Sequence, residues 1–161
     1  MFAGSFNAAV KDAAVDALKK QGCNVLVSDL YEMKFKATAT KEDINGAAKN
    51  PEHFCYGNET MLAWQEGRLA SDIVDEHKKL KEADLVIFQL ILSTKLFLNG
   101  VLNYCGFQVL APQIFWAPTH LSPEAREGLL EGWRARLQGL LNEAPLTFPP
   151  ADWVRMADLT C

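Results

Sequence analysis

Asp84-Leu85-Val86-Ile87-Phe88-Gln89 is a continuous apolar run set just behind a segment that reads as a helix ending in Lys78, Lys79 and Lys81. A strand that alternates apolar and polar residues can leave one face in water. An unbroken apolar run has to be covered on both faces, which in soluble proteins points to a parallel sheet between layers of helices. The run therefore predicts an α/β chain. An earlier stretch supports the same reading. Ser5 precedes Phe6, Ala9, Val10, Ala13 and Ala17 at helical spacing, Lys19, Lys20 and Gly22 supply a stop, and Asn24-Val25-Leu26-Val27-Ser28 follows at once. A capping serine, a basic last turn and a closing glycine mark a helix, and the strand formers behind it make half of an α/β repeat.

From Leu30 to Asn58 the pattern loses its period, although Lys41 to Ala48 is expected to make one or two helical turns. Long irregular stretches inside compact domains are usually functional or poorly packed. Glu59 to Glu66 carries Met61, Leu62 and Trp64, and Ser71 is expected to cap a helix that turns Ile73, Val74, His77 and Leu80 inward. Phe107 to Ala111 and Ile114 to Trp116 read as another strand, interrupted at Pro112. Ser122-Pro123 then opens a last helix with Leu129, Leu130, Trp133, Leu137, Leu140 and Leu141 on one face. Trp133 is expected in the core, and Arg134 and Arg136 on the solvent side. Residues 1–148 are read as the domain and 149–161 as an irregular tail.

At 161 residues, 49% hydrophobic and 22% charged, the chain is long enough for one domain with a core of its own. Its net charge of −4 argues against nucleic acid or an anionic membrane as partner. Cys23, Cys55, Cys105 and Cys161 form no C-x-x-C pair and have no His at ligand spacing, so reduced thiols are expected. With no secretory signal pattern at the start, a cytoplasmic location is expected. The uncharged stretch from Leu96 to Pro123 is broken by Asn99, Gly100, Asn103, Gly106, Pro112 and Pro118 and is not read as a membrane span. His53, His77 and His120 lie in unrelated segments, which makes a metal-binding trio improbable.

The stretches GSFN at 4–7, QGCNVLVSDLYEMKF at 21–35, EADLVIFQ at 82–89, NYCGFQVLAPQIFWAP at 103–118 and EGWRARL at 131–137 occur in an order that resembles the FAD-dependent NAD(P)H dehydrogenase (quinone) family, DT-diaphorase type. The resemblance extends to about Phe148. It implies a flavodoxin-like, three-layer open parallel sheet and a homodimer with active sites at the subunit interface. It also implies two-electron transfer from NAD(P)H through FAD to a quinone. Against the family pattern the chain looks truncated before Gly4, where a first strand ending in a His near the FAD is expected. It also looks internally shortened after Gln89, where Leu90 to Lys95 passes almost directly to Leu96 to Gly100. The sheet is therefore expected to be incomplete, about three strands at 24–28, 84–90 and 107–116. Leu96 to Tyr104 is expected to form a short helix that makes the last two strands one right-handed crossover.

Residue by residue, the resemblance implies cofactor contacts at Ser5, Phe6 and Asn7, at the start of the first helix, where amide N–H groups and the helix dipole suit a pyrophosphate. Cys55 stands where the family commonly has a Gln facing the flavin, Arg126 matches an Arg near the adenosine end, and Thr119 sits where some relatives use Glu. No residue matches the family's hydride-relay Tyr and His, so no catalytic residue is assigned. Asn99 and Asn103 stand where some relatives have metal-binding His, so no metal is expected. The chain is thus expected to be impaired in catalysis. Two alternatives are a non-catalytic form that binds a full-length subunit and a chain whose unpaired strands keep it from folding stably.

Overall fold

A computed structural model describes residues 5–90 and 96–148. Four α-helices dominate: α1 (Phe6–Lys20), α2 (Tyr56–Gln65), α3 (Ser71–Glu82) and α4 (Pro123–Gly139). A π-type helix covers Leu96–Asn103, where the sequence suggested a short helix. Single 3-10 turns cover Lys41–Asp43, Pro118–His120 and Leu140–Asn142. The chain divides into two compact units, one from the described residues of Met1–Ala8 and Asn24–Phe88, the other from those of Ala9–Cys23 and Gln89–Cys161.

The helix ends follow local chemistry. Ser5 Oγ accepts the Ala8 amide at 3.1 Å, and α1 closes at Gly22, whose φ of +84° an L side chain would resist. Ser122 Oγ accepts the Ala125 amide at 3.2 Å, and Pro123 sits in the first turn of α4, where its missing N–H costs nothing. Ser71 does not cap α3. The N-cap is Ala70, without a side-chain bond, and Ser71 is already helical. The amide of Ala70 is instead committed to the carbonyl of Asp43 at 2.9 Å.

In the first unit the core is Ile44, Ala63 and Leu69, with Ile73 and Val74 against it. Ile44 and Leu69 form an antiparallel bridge that ties the loop before α2 to the turn after it. The expected inward face of α3 is only partly realised, since His77 and Leu80 are exposed. In the second unit α1 meets α4. Trp133 is buried and its Nε1–H donates to the Val10 carbonyl at 3.2 Å, while Gln21 Nε2 donates to the Leu137 carbonyl at 3.3 Å. Val10, Ala13, Leu18, Leu130, Leu137 and Leu140 are buried with Trp133, and Phe115 meets its ring edge-on at 6.3 Å. Leu141, expected on the same face, is 65% exposed because the helix gives way to a 3-10 turn at Leu140.

The three expected strands are where the expectation needs correction. Among the described residues the Ile44–Leu69 bridge is the only β pairing, and 24–28, 84–90 and 107–116 form no ladder. Leu26, Val27, Ile87, Phe88, Leu90, Ile114 and Trp116 are all exposed, so the 84–90 run is not covered on both faces. A ladder needs a partner strand about 4.8 Å away, and among the described residues none of the three segments has one.

Candidate functional site

The residues marked by the sequence fall into both units. Ser5, Phe6, Asn7 and Cys55 belong to the first, Thr119 and Arg126 to the second. At α1 the hydroxyl of Ser5 takes one first-turn amide, and α1 is the only one of the four α-helices with no acidic residue in its first turn. Its positive end is therefore not neutralised from within, the condition an anion at that end requires.

Cys55 is exposed and is the N-cap residue of α2, its side chain making no capping bond. The segment leading to it is tightly held. Glu59, 3% exposed, accepts the Lys49 amide at 2.7 Å and the Asn50 amide at 2.8 Å, while its own amide donates to the Cys55 carbonyl at 3.0 Å. Asp43, 8% exposed, accepts the Thr40 amide at 3.2 Å and the Tyr56 hydroxyl at 2.6 Å. That hydrogen bond is the main cause of the raised pKa of Tyr56, with burial adding to it. Lys49 Nζ also reaches Glu66 at 2.9 Å, and this contact, with that of Arg68, lowers the pKa of the Glu66 carboxyl. Sequence reading missed Asp43 and Glu59. An acidic residue in a first helical turn looks like an ordinary dipole partner, and only folding reveals that it is buried.

An open cleft of about 330 Å³ lies between α2 and α3, lined by Tyr56, Thr60, Met61, Trp64, Ile73 and His77 among others.

In the second unit Thr119 is exposed in the Pro118–His120 turn, which follows Ala117 in a left-handed conformation (φ 43°). Trp116 just before it is 77% exposed. Arg126 lies in the first turn of α4, its amide donating to the Ser122 carbonyl at 3.0 Å. Its Nε is buried and has no hydrogen-bond partner, an uncommon condition for a cationic donor. Arg136, expected in solvent, is instead half-buried. It pairs bidentately with Glu143 at 2.8 and 2.7 Å and donates to the Ala111 carbonyl at 2.5 Å. It thereby links α4 to the segment expected as the last strand. Asn103 Nδ2 donates to Asn99 Oδ1 at 3.1 Å, so these two amides hold each other. Among the described residues no three His, Cys, Asp or Glu side chains cluster in a way that could hold a metal ion.

Residues 1–90 match the family described as flavodoxin-like fold. Ribosyldihydronicotinamide dehydrogenase (quinone) of Pongo abelii is 38% identical over 205 residues, covering 88% of this chain and 89% of the relative. The chain belongs to the NAD(P)H dehydrogenase (quinone) family. NAD(P)H dehydrogenase (quinone) 1 of Cavia porcellus is 35% identical over 211 residues, covering 92% of this chain and 77% of that one. A crystal structure described as that of a candidate quinone reductase from Klebsiella pneumoniae superposes with a TM-score of 0.83, covering 91% of this chain and 83% of its own. At 22% identity that likeness is one of fold. The family fold is therefore flavodoxin-like, even though the strand places found here remain unladdered. The stretch aligned with the Pongo abelii relative is longer than the 161 residues of this chain, so part of that relative has no counterpart here. Among the described residues no helix is long and apolar enough to cross a membrane.

Proposed function

We propose that this member of the quinone reductase family retains a flavin-binding surface but is impaired in two-electron transfer from NAD(P)H to quinones. FAD, when bound, supplies the hydride chemistry. The protein's part is to hold it, orient it and exclude water. Ser5, Phe6 and Asn7 would receive the pyrophosphate at the start of α1, whose first turn carries no acidic residue. Cys55 would stand by the flavin ring, and Arg126 and Thr119 by the adenosine end. The buried, unpartnered Nε of Arg126 supports a polar ligand there, because a guanidinium nitrogen cut off from both water and protein acceptors is costly to leave so.

The observation that carries the impairment is the unladdered condition of 24–28, 84–90 and 107–116, with Ile87, Phe88, Ile114 and Trp116 exposed. In doubly wound folds the ligand site lies at the carboxyl ends of paired strands. Strand ends that are not fixed to one another cannot supply the preorganised donors that transition-state stabilisation requires. The part of the relatives without counterpart here supports the same reading.

The test is to purify the chain with added FAD, separate it by size exclusion and record the flavin spectrum, then assay quinone reduction with NADH and NADPH. Co-eluting flavin with turnover far below that of a full-length relative is the expected result. Turnover equal to the relative's would overturn the impairment, and a flavin-free peak would overturn the binding. A second reading rests on the same exposed apolar residues: a non-catalytic form, located in the cytoplasm, that assembles with a full-length subunit through them. Co-purification with such a subunit would support it, and a clean monomer in the subunit's presence would exclude it.

A further inference from the structure

Asp43 and Glu59 are the two buried polar or charged side chains among the described residues, and both serve one loop. Moving a carboxylate out of water is costly unless its oxygens are hydrogen-bonded, so each marks a place where the fold specifies one conformation. Asp43 braces the start of the loop through Thr40 and Tyr56. Glu59 braces its end: Oε2 takes the Lys49 amide, Oε1 takes the Asn50 amide, and the Glu59 amide holds the Cys55 carbonyl. Between these points Asn50 Oδ1 accepts the His53 amide at 3.1 Å, which closes an Asx-type turn at Pro51. All of these bonds lie within the first unit, and none depends on the unladdered segments.

We propose that Glu59 is the positioning residue of the cofactor wall, holding residues 49–55, and through them Cys55, in the one conformation that meets the flavin ring. The inference rests on the flavin reading of Cys55 and goes beyond it by naming the group that sets that residue's place. Glu59 does not touch the ligand. Its carboxylate acts through the backbone before Cys55, at the Lys49 and Asn50 amides. The pattern has a functional sense, since a loop clamped by a buried carboxylate stays formed even where the neighbouring strands do not pair.

The experiment compares the unsubstituted chain with Glu59→Gln, which keeps one acceptor oxygen, and Glu59→Ala, which keeps none. Three quantities are read: amide hydrogen exchange, the FAD dissociation constant by flavin fluorescence, and protection of Cys55 by FAD against a neutral maleimide, located by peptide mass mapping. Losing charge-assisted bonds should speed exchange at Lys49 and Asn50 by roughly tenfold or more, with α2 amides from Thr60 onward unchanged. FAD affinity should fall about tenfold in Glu59→Gln, with loss of Cys55 protection. Faster exchange with unchanged FAD affinity and protection would make Glu59 a structural brace only and overturn the proposal. Unchanged exchange at Lys49 and Asn50 would overturn it whatever FAD does. If FAD fails to protect Cys55 in the unsubstituted chain while exchange responds as expected, the flavin reading of the site fails and the clamp stands without it. Should Glu59→Ala not fold, Glu59→Gln carries the test, and Tyr56→Phe provides a control in which the other brace alone is cut.

Discussion

Residues 40–70 are poorer in apolar side chains than residues 84–90, yet of the two stretches only the first closes. The first wraps Ile44, Ala63 and Leu69 into a small core and satisfies its polar atoms from within: a capping box at Thr40 and Asp43, the Glu59 clamp, the Ile44–Leu69 bridge and Arg68 donating to the Asn45 carbonyl. The second is a more apolar run and a better strand former, but Ile87, Phe88 and Leu90 are exposed. The difference is where the partner comes from. The bonds of the first stretch all close within residues 40–70, whereas a strand's N–H and C=O groups must find a separate strand at ladder distance. Apolar content alone does not bury a segment.

The comparison extends to the second unit and can be broken in several ways, beginning with the largest effect. Leu137, 1% exposed between α4 and its neighbours, belongs to a closed region, so Leu137→Ala should cost about 2–5 kcal/mol by denaturant titration. A loss of under about 0.5 kcal/mol would mean that α1 and α4 do not form a true core. Next comes Arg136, whose guanidinium joins Glu143 and the Ala111 carbonyl. Arg136→Ala should cost about 1 kcal/mol and speed exchange in the Ala111 region, and no change there would show that this segment is not held by α4.

A smaller effect is expected from pH. The Lys79 ammonium, aided by the Ser28 hydroxyl, holds the Glu76 carboxylate below its ordinary value of 4.5. A carboxylate whose folded pKa is depressed stabilises the fold above its unfolded pKa, and that contribution is lost as pH falls through the folded value. Melting temperature should therefore drop on acidification below about pH 4.5 less steeply in Glu76→Gln than in the parent. A difference appearing only on the alkaline side would refute the pairing. The smallest effect should come from the open segment: Leu26, 61% exposed, should tolerate Leu26→Ser within about 0.5 kcal/mol while reducing aggregation. A large destabilisation there would show that 24–28 is packed after all, and would weaken the contrast between closed and open regions.

Much of this was legible in the residues. The caps at Ser5 and Ser122, the glycine stop after α1 and the buried face of α4 around Trp133 all follow from local rules acting within a turn or two of helix. The family likewise lay in stretches such as 82–89 and 103–118 that keep their order. Of the candidate site, Ser5, Phe6, Asn7, Cys55, Thr119 and Arg126 were nameable from resemblance, but their surroundings were not. Nothing in the spacing shows that Glu59 turns back to the Lys49 and Asn50 amides, that Arg136 leaves solvent for Glu143, or that Arg126 Nε is buried without a partner.

By itself, then, the amino-acid sequence determined where the α-helices fall, the caps of α1 and α4 and the family, because helical hydrogen bonds and caps are made between residues three or four apart. Only the tertiary structure decided which segments acquire partners. The strand-forming runs at 24–28, 84–90 and 107–116 have the residues for a sheet, but sheet pairing is a relation between distant segments, and among the described residues these runs form no ladder. The same applies to the Glu59 clamp, whose stabilising power arises only when the loop and α2 come together and water is excluded from the carboxylate.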